Sequence, residues 1–358
     1  MMNRRNFIKV ITAILLTPFI YLKRKNDVLA LDNYESSNVK NQMNGKMNKV
    51  ITIKDERATN WNYNEEKYLD YIDYSVVDDM VDEGILKLAG TNNLEAAWNI
   101  VIRNYNEGDI FAIKPNFNNI NHWYKKCFTS PHVINSVVRS LVQYLNVREK
   151  DVYIYDLCKK IPKELIRDRI KYNVNYIERF DYSKFWDKVR VRLNMGLASA
   201  DRNAPIKMRN DIIDDTGNKL SCYIPKVLTR ADHLINISLL TNHIFVPISG
   251  PLKNHFGTVR FSNYKQYPEC LHGDNIKENI EDINSNEHII SKTRLYICDG
   301  LFGIYARGEK EGIHKWETYP CEHGTPNTLL FSFDPVSMEK MIKDIVVKER
   351  KIHNLKLL

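Results

Sequence analysis

The sequence predicts an α/β fold with a mixed, mainly parallel sheet, helices on both faces and a β-hairpin insertion. Short apolar runs such as "DIFAIKPN" and "HLINISLL" alternate with longer amphipathic stretches, a pattern typical of strands joined by helices. The segment "NDIIDDTGNKLSCYIP" indicates a hairpin that turns at Thr216 and Gly217. A chain of 358 residues is long enough for one large domain of this class.

The N-terminus resembles a twin-arginine signal peptide, which we assign to residues 1–30. Arg4 and Arg5 precede Phe7 and an apolar run over residues 10–22 that is too short for a typical transmembrane helix. Ala30 ends a candidate cleavage site. We expect an exported protein that uses the twin-arginine export machinery and meets the membrane only through this segment. It stays membrane-anchored if the signal is not cleaved, and a buried amphipathic helix is the alternative.

The basic charge of the chain is concentrated in this leader. Residues 1–30 hold six lysines and arginines against one aspartate, so removing them lowers the formal net charge from +8 to +3. Nucleic-acid binding therefore loses its main support, and we expect no nucleic-acid partner.

Residues 31–48 are polar and aperiodic, which predicts a flexible linker, and residues 49–358 are predicted to form a single α/β domain with an insertion near 183–230. "KVITIKDE" predicts its first strand. "DYSVVDDMVDEGILKLAG" predicts a helix that begins near Asp73 or Ser75 and ends near Gly90.

The later elements follow the same alternation. The remaining helix and strand predictions, in chain order, are the helix "LEAAWNIVIRNY", the strand "DIFAIKPN", the helix "SPHVINSVVRSLVQYL", the strands "DVYIYD" and "HLINISLL", the helix "DNIKENIEDINSN", the strand "TRLYICDG" and the helix "DPVSMEKMIKDIVVKERKI".

Polar side chains follow three of these strands, at the point where each strand ends. Lys114 and Asn116 follow "DIFAI", and Asp156 and Asp299 end "DVYIYD" and "RLYICD". Ligands of open α/β sheets collect at the carboxyl ends of strands, so we expect these four residues to bind a ligand. The alternative is that the carboxylates and the amide only cap the next turn or helix.

A fourth polar group follows "HLINISLL", in the segments "LLTNH" and "GPLKNHFG". Lys253 could neutralise a carboxylate or phosphate together with Lys114, while Asn254 fixes its orientation and His243 lines the same site. His255 and Lys253 are the candidate catalytic residues, because an imidazole titrates near neutrality. A polar turn without a ligand is the alternative.

Two metal sites are also compatible with the sequence. One is a mixed nitrogen and oxygen set of His243, His255 and Asp299, suited to a divalent ion. The other joins two C-x-H steps, in which side chains two residues apart share one face of an extended segment. Its four residues are Cys270, His272, Cys321 and His323. The six cysteines include no C-x-x-C pair, so we predict no iron–sulfur cluster.

Several segments, in the same order along the chain, resemble the bacterial family called domain of unknown function 362. They include "DIFAIKPNF", "TSPHVINSVVRSL", "LINISLLTNH" and "GPLKNHFGTVR", and the L-K-N-x-x-G element is the most specific of them. The N-terminus is similar to the exported branch of that family, which has twin-arginine leaders. The resemblance implies a single α/β fold with a polar site, and it implies no particular reaction.

These observations predict an exported α/β protein that binds a small anionic substrate or cofactor and acts as an enzyme of undetermined reaction. The alternatives are a non-catalytic ligand-binding or accessory protein and a metal-binding protein. A strongly shifted pKa at a buried lysine or histidine would favour catalysis.

Overall fold

The computed structural model describes residues 48–64, 67–118, 120–122, 127–181, 183–262, 268–310, 312–318 and 324–356. The strands in these ranges are β1 Val50–Lys54, β2 Phe111–Pro115, β3 Val152–Asp156, β4 Asn175–Glu178, β5 Ala200–Ile206, β6 Ile212–Ile213, β7 Lys219–Leu220, β8 Cys222–Pro225, β9 His233–Thr241, β10 Arg260–Phe261, β11 Thr293–Ile304 and β12 Thr328–Ser332. The α-helices are α1 Tyr74–Ala89, α2 Leu94–Val101, α3 Pro131–Leu145, α4 Phe185–Arg192, α5 Lys226–Arg230, α6 Pro251–Asn254, α7 Ile276–Asn284, α8 Glu287–Ile290 and α9 Pro335–Ile352.

The main sheet has seven strands in the order β1-β12-β11-β9-β2-β3-β4. The five strands from β11 to β4 pair in parallel, and β12 is antiparallel to both β11 and β1. Because parallel neighbours need crossover connections, the helices lie between them in the sequence. The predicted fold class, a mixed and mainly parallel α/β sheet, is confirmed.

Helices cover both faces of this sheet, and the strand residues alternate between the two faces. Phe111 and Ile113 pack into one apolar core with α1, α2 and α3, whereas Ala112 joins a second core that includes residues of α7. Helix α9 packs on the same side as β11 residues such as Cys298. Since side chains two residues apart share a face, Lys114 belongs to the side of Ala112.

The predicted hairpin is formed by β6 and β7. Gly217 adopts a φ of +84°, and the side chain of Asp214 accepts hydrogen bonds from the backbone N–H groups of Thr216 and Asn218. This turn chemistry matches the sequence, since Gly tolerates positive φ and Asp closes local turns. A further three-stranded sheet, β10-β8-β5, lies beside it in sequence.

The predicted leader, residues 1–30, and all of the predicted linker except residue 48 lie outside the described residues. Within the part of the chain that is described, no helix has the length and apolar character needed to cross a bilayer.

Helix α1 packs against β12 through a glycine. A Cβ on Gly84 would overlap the ring of Phe331, and both residues are buried. We expect Gly84→Ala to lower the free energy of unfolding by about 1–3 kcal/mol, because overpacking outweighs the gain in helix propensity. Urea unfolding measures the loss. Glu83→Ala, at an exposed position of the same helix, is the control, and an equal effect of both changes would contradict this packing.

Candidate anion-binding site

A small cavity lies where the segment of α6 crosses the carboxyl ends of β2 and β3. Its volume is about 50 Å³. Five of the residues expected at the site line it, namely Lys114, Asn116, Asp156, Lys253 and Asn254. The other lining residues are Asn118, Cys158, Ser249, Phe256, Gly257, Pro268 and His272.

Lys114 is a buried cation that is fully paired within the protein. Its Nζ donates to Asp156 Oδ2 at 3.0 Å, to the carbonyl of Pro115 at 2.7 Å and to Asn254 Oδ1 at 3.4 Å. The other carboxylate oxygen of Asp156 accepts the backbone N–H groups of Cys158 and Lys159. An ammonium group with three acceptors has little remaining capacity for an external anion. The expectation that Lys114 helps Lys253 to neutralise a ligand anion is therefore not supported by these contacts.

Asn254 ties the cavity segment to the sheet. Its Nδ2 donates to the carbonyl of Lys114 at 3.0 Å and to Asn236 Oδ1 at 2.8 Å. Asn236, which is buried in the middle of β9, donates in turn to the carbonyl of Pro251. Asn254 therefore orients the segment as well as lining the cavity.

His255 lies outside the cavity lining, which corrects its expected place beside Lys253. It is fully buried, and its Nε2 accepts a hydrogen bond from Asn236 Nδ2 at 3.0 Å. Its Nδ1 therefore donates to Thr258 Oγ1, which also pairs with Tyr155. Burial and the charge of Lys114 lower the pKa of His255 to about 3. This neutral imidazole bonds the segment to β9 and is not among the residues that line the cavity.

The glycine of the L-K-N-x-x-G element is required by close approach. A Cβ on Gly257 would lie 2.8 Å from Lys114 Nζ and 3.3 Å from Asp156 Oδ2. Any larger residue would press on the buried ion pair. The carbonyl of Gly257 also accepts the N–H of Leu157, directly after β3.

Lys253 differs sharply from Lys114 in its surroundings. It is 6 % exposed, and its Nζ contacts His272 Nε2 at 3.0 Å and lies 4.6 Å from the centre of the Phe256 ring. With the described residues it forms no ion pair. Burial lowers the pKa of Lys253 to about 7, and the neighbouring charge of Arg307 acts in the same direction, whereas Glu339 acts in the opposite direction without forming an ion pair with Lys253.

Two neutral imidazoles accompany Lys253. His272 Nδ1 donates to the carbonyl of Pro268 at 2.8 Å, so its Nε2 presents a lone pair to Lys253. His243 stacks on His272, with ring centres 5.4 Å apart. Burial, with the charge of Lys253, lowers the pKa of His272 to about 4 and that of His243 to about 2. Both rings are therefore uncharged at neutral pH.

Two functional candidates were missed in the sequence. Arg307 follows β11, and its backbone exchanges two hydrogen bonds with the side chain of Asn242. Its guanidinium forms no ion pair within the described ranges, and burial lowers its pKa. Glu339 of α9 accepts the N–H of Leu252, and burial raises its pKa to about 7. Arg307 was detectable, since it follows an apolar run just as Lys114 does.

Asp299 has a helix-capping role in place of the expected ligand contact. Its carboxylate accepts the backbone N–H groups of Ser130, at the N-cap of α3, and of Leu301. Burial raises the pKa of Asp299 to about 6. Asp299 is not among the residues that line the cavity.

Neither expected metal set is assembled in the described residues. No three His, Cys, Asp or Glu side chains converge there in a way that could hold a metal ion, which corrects the set of His243, His255 and Asp299. His272 faces the cavity, whereas Cys270 lines a separate cleft with Ile213 and Leu220. Cys321 and His323, the second C-x-H pair, lie outside the described residues.

A family model described as "Domain of unknown function (DUF362)" matches residues 111–344. The lactate racemase apoprotein from Thermoanaerobacterium thermosaccharolyticum is a similar solved structure, with 13 % sequence identity and a TM-score of 0.41 over 76 % of this chain. The chain spans 55 % of the length of that structure. No curated protein matches the sequence.

The Lys114–Asp156 pair can be tested by removing one partner. We expect Asp156→Ala to lower the free energy of unfolding by about 3–5 kcal/mol, because it leaves a buried ammonium without its counter-charge. Asp211→Ala breaks the exposed pair with Lys219 and should cost about 1 kcal/mol or less. Urea unfolding compares the two variants, and similar losses would show that burial of the first pair has no energetic consequence.

Proposed function

The chain belongs to the DUF362 family, and we propose that its cavity binds a small anion, a carboxylate or a phosphate, through Lys253. The main observation behind the proposal is that Lys253 forms no ion pair with the described residues. It is a buried cation on a cavity wall that contacts a neutral imidazole, whereas Lys114 on the same cavity already has Asp156. A buried charge without a counter-ion is unfavourable, so an anion that enters would be stabilised there.

Arg307 supports the same reading. Its charge acts on Lys253, His243 and His272, so it lies close enough to add to the positive potential at the cavity. Guanidinium and ammonium groups together are the usual means of holding a carboxylate or phosphate. Asn116 offers an additional polar contact at the cavity wall.

The titration of Lys253 favours an enzyme over a non-catalytic binding protein. A pKa of about 7 lets this lysine change its protonation state near neutral pH. His272 Nε2, 3.0 Å from Lys253 Nζ, accepts a hydrogen bond from it and orients the amine. We assign Lys253 the role of acid or base toward the bound anion and His272 the role of orienting the amine of Lys253 as a neutral hydrogen-bond acceptor. His255 has only the supporting role described above.

Export through the twin-arginine machinery remains part of the proposal, on the basis of Arg4 and Arg5. The low charge of the remaining chain supports a small-molecule ligand in place of nucleic acid.

Calorimetric titration with inorganic phosphate and with pyruvate tests the site. We expect Lys253→Met to weaken binding of at least one of these anions by about tenfold or more, since a charge-assisted hydrogen bond is lost. Lys87→Met removes an exposed lysine of α1 and should leave binding unchanged. If neither anion binds to the unmodified protein, or if both variants bind equally well, the proposed site is wrong.

Binding should also depend on pH, with a sign fixed by Lys253. The ammonium form predominates below about pH 7, so we expect the affinity for pyruvate to fall by about tenfold between pH 6 and pH 8.5. His243 and His272 stay neutral across this range, and Arg307 stays charged. Glu339 titrates near the same pH, so Glu339→Gln is the control. The dependence should persist in that variant and disappear in Lys253→Met, and the reverse pattern would assign it to Glu339.

A further inference from the structure

The segment around α4 exposes an unusual amount of apolar surface. Of the nine large hydrophobic side chains exposed in the described residues, four lie within eleven consecutive residues of this segment. They are Phe185, Trp186, Leu193 and Met195, with 68 %, 70 %, 61 % and 53 % of their surface exposed. Single exposed hydrophobic residues are normal, but a cluster marks an interaction surface.

The contacts that α4 makes with the rest of the protein show which of its faces is exposed. Asp187 accepts the backbone N–H of Asp181, and Val191 packs against an apolar core. Residues three or four apart share a helix face. Phe185, Val189 and Leu193 therefore lie together on the face opposite to Asp187 and Val191. Trp186 adjoins them, with its ring 5.4 Å from that of Phe185.

Cations border this apolar face. Lys188 and Arg192 lie on one side of it and Arg190 on the other, and all three are exposed. Arg190 pairs with Asp187 at 3.2 Å, whereas Lys188 and Arg192 form no ion pair within the described part of the chain. The face is therefore apolar at its centre and positively charged at its edges.

We propose that α4 and the residues that follow it bind the surface of an anionic phospholipid bilayer. An exposed Trp–Phe pair bordered by lysine and arginine is the composition of helices that lie in the membrane interface. The unpaired cations complement acidic headgroups, with a contribution of about 1 kcal/mol for each basic residue near the surface. A protein partner or a second copy of this chain would need no such border of like charges.

Quenching of Trp186 gives a local test with the full-length chain. Phosphatidylglycerol vesicles with brominated acyl chains are added to the protein and to Trp186→Phe, and the difference between their emissions isolates one of the five tryptophans. We expect the vesicles to quench this difference signal. Because this signal comes from Trp186 alone, it reports contact of α4 with the acyl chains and not contact of residues 10–22. An unquenched Trp186 signal would overturn the proposal.

Variants then separate the chemical contributions. The double change Phe185→Ser and Trp186→Ser should lower affinity for these vesicles by about tenfold. Ile100→Ser, at an exposed position of α2, is the matched control and should have no effect. Lys188→Gln with Arg192→Gln should weaken binding and its dependence on salt.

Two further outcomes would contradict a membrane role. Equal quenching of the Trp186 signal by brominated vesicles of neutral phosphatidylcholine would show that the charged residues make no contribution to binding. A dimer of the unmodified protein that dissociates in the Phe185→Ser, Trp186→Ser variant would assign the face to contact between two copies of the chain.

Discussion

The buried ammonium of Lys114 has to be neutralised inside the protein, and the edge of the sheet that carries the cavity is organised around this requirement. Asp156, at the end of the neighbouring strand, supplies the counter-charge. Asn254 bonds both the ammonium and the backbone of Lys114, while Gly257 leaves room for the ion pair. A buried ion pair is worth retaining only when its remaining polar atoms are bonded, which is the condition met here. The segment from Pro251 onward is thereby held across the ends of β2 and β3 and is bonded to the middle of β9.

These contacts also place Lys253 on the same cavity, but its amine has different neighbours from that of Lys114. The segment that satisfies Lys114 carries Lys253 one residue before Asn254, so the position of Lys253 follows from these contacts. Its amine meets a neutral imidazole of His272 and the ring of Phe256, and neither compensates a full positive charge. We therefore propose separate roles for the two lysines on this wall: Lys114 holds the structure, and Lys253 binds a ligand.

The sequence was sufficient for the fold class because continuous apolar runs indicate buried strands and amphipathic periodicity indicates helices packed on them. The β2 and β9 runs are buried throughout, and the Asp214 turn has the residues that its backbone requires. Strand-end positions also brought Lys114, Asn116, Asp156 and Lys253 to one cavity. The sequence could not predict the hydrogen-bond and ion-pair partners of these side chains. His255 and Asp299 bond to groups distant in sequence, and only the distances between side chains separate a paired lysine from an unpaired one.

The most direct measurement of this account is the pKa of Lys253 in the folded protein. Carbon-13 NMR of the lysine ε-methylene groups, with Lys253→Arg for assignment, follows its titration with and without inorganic phosphate or pyruvate. The account predicts a pKa of about 7 in the free protein, and a higher value when one of these anions binds, because a bound negative charge favours the ammonium form. A pKa at the ordinary value of 10.5, unchanged by either anion, would contradict it.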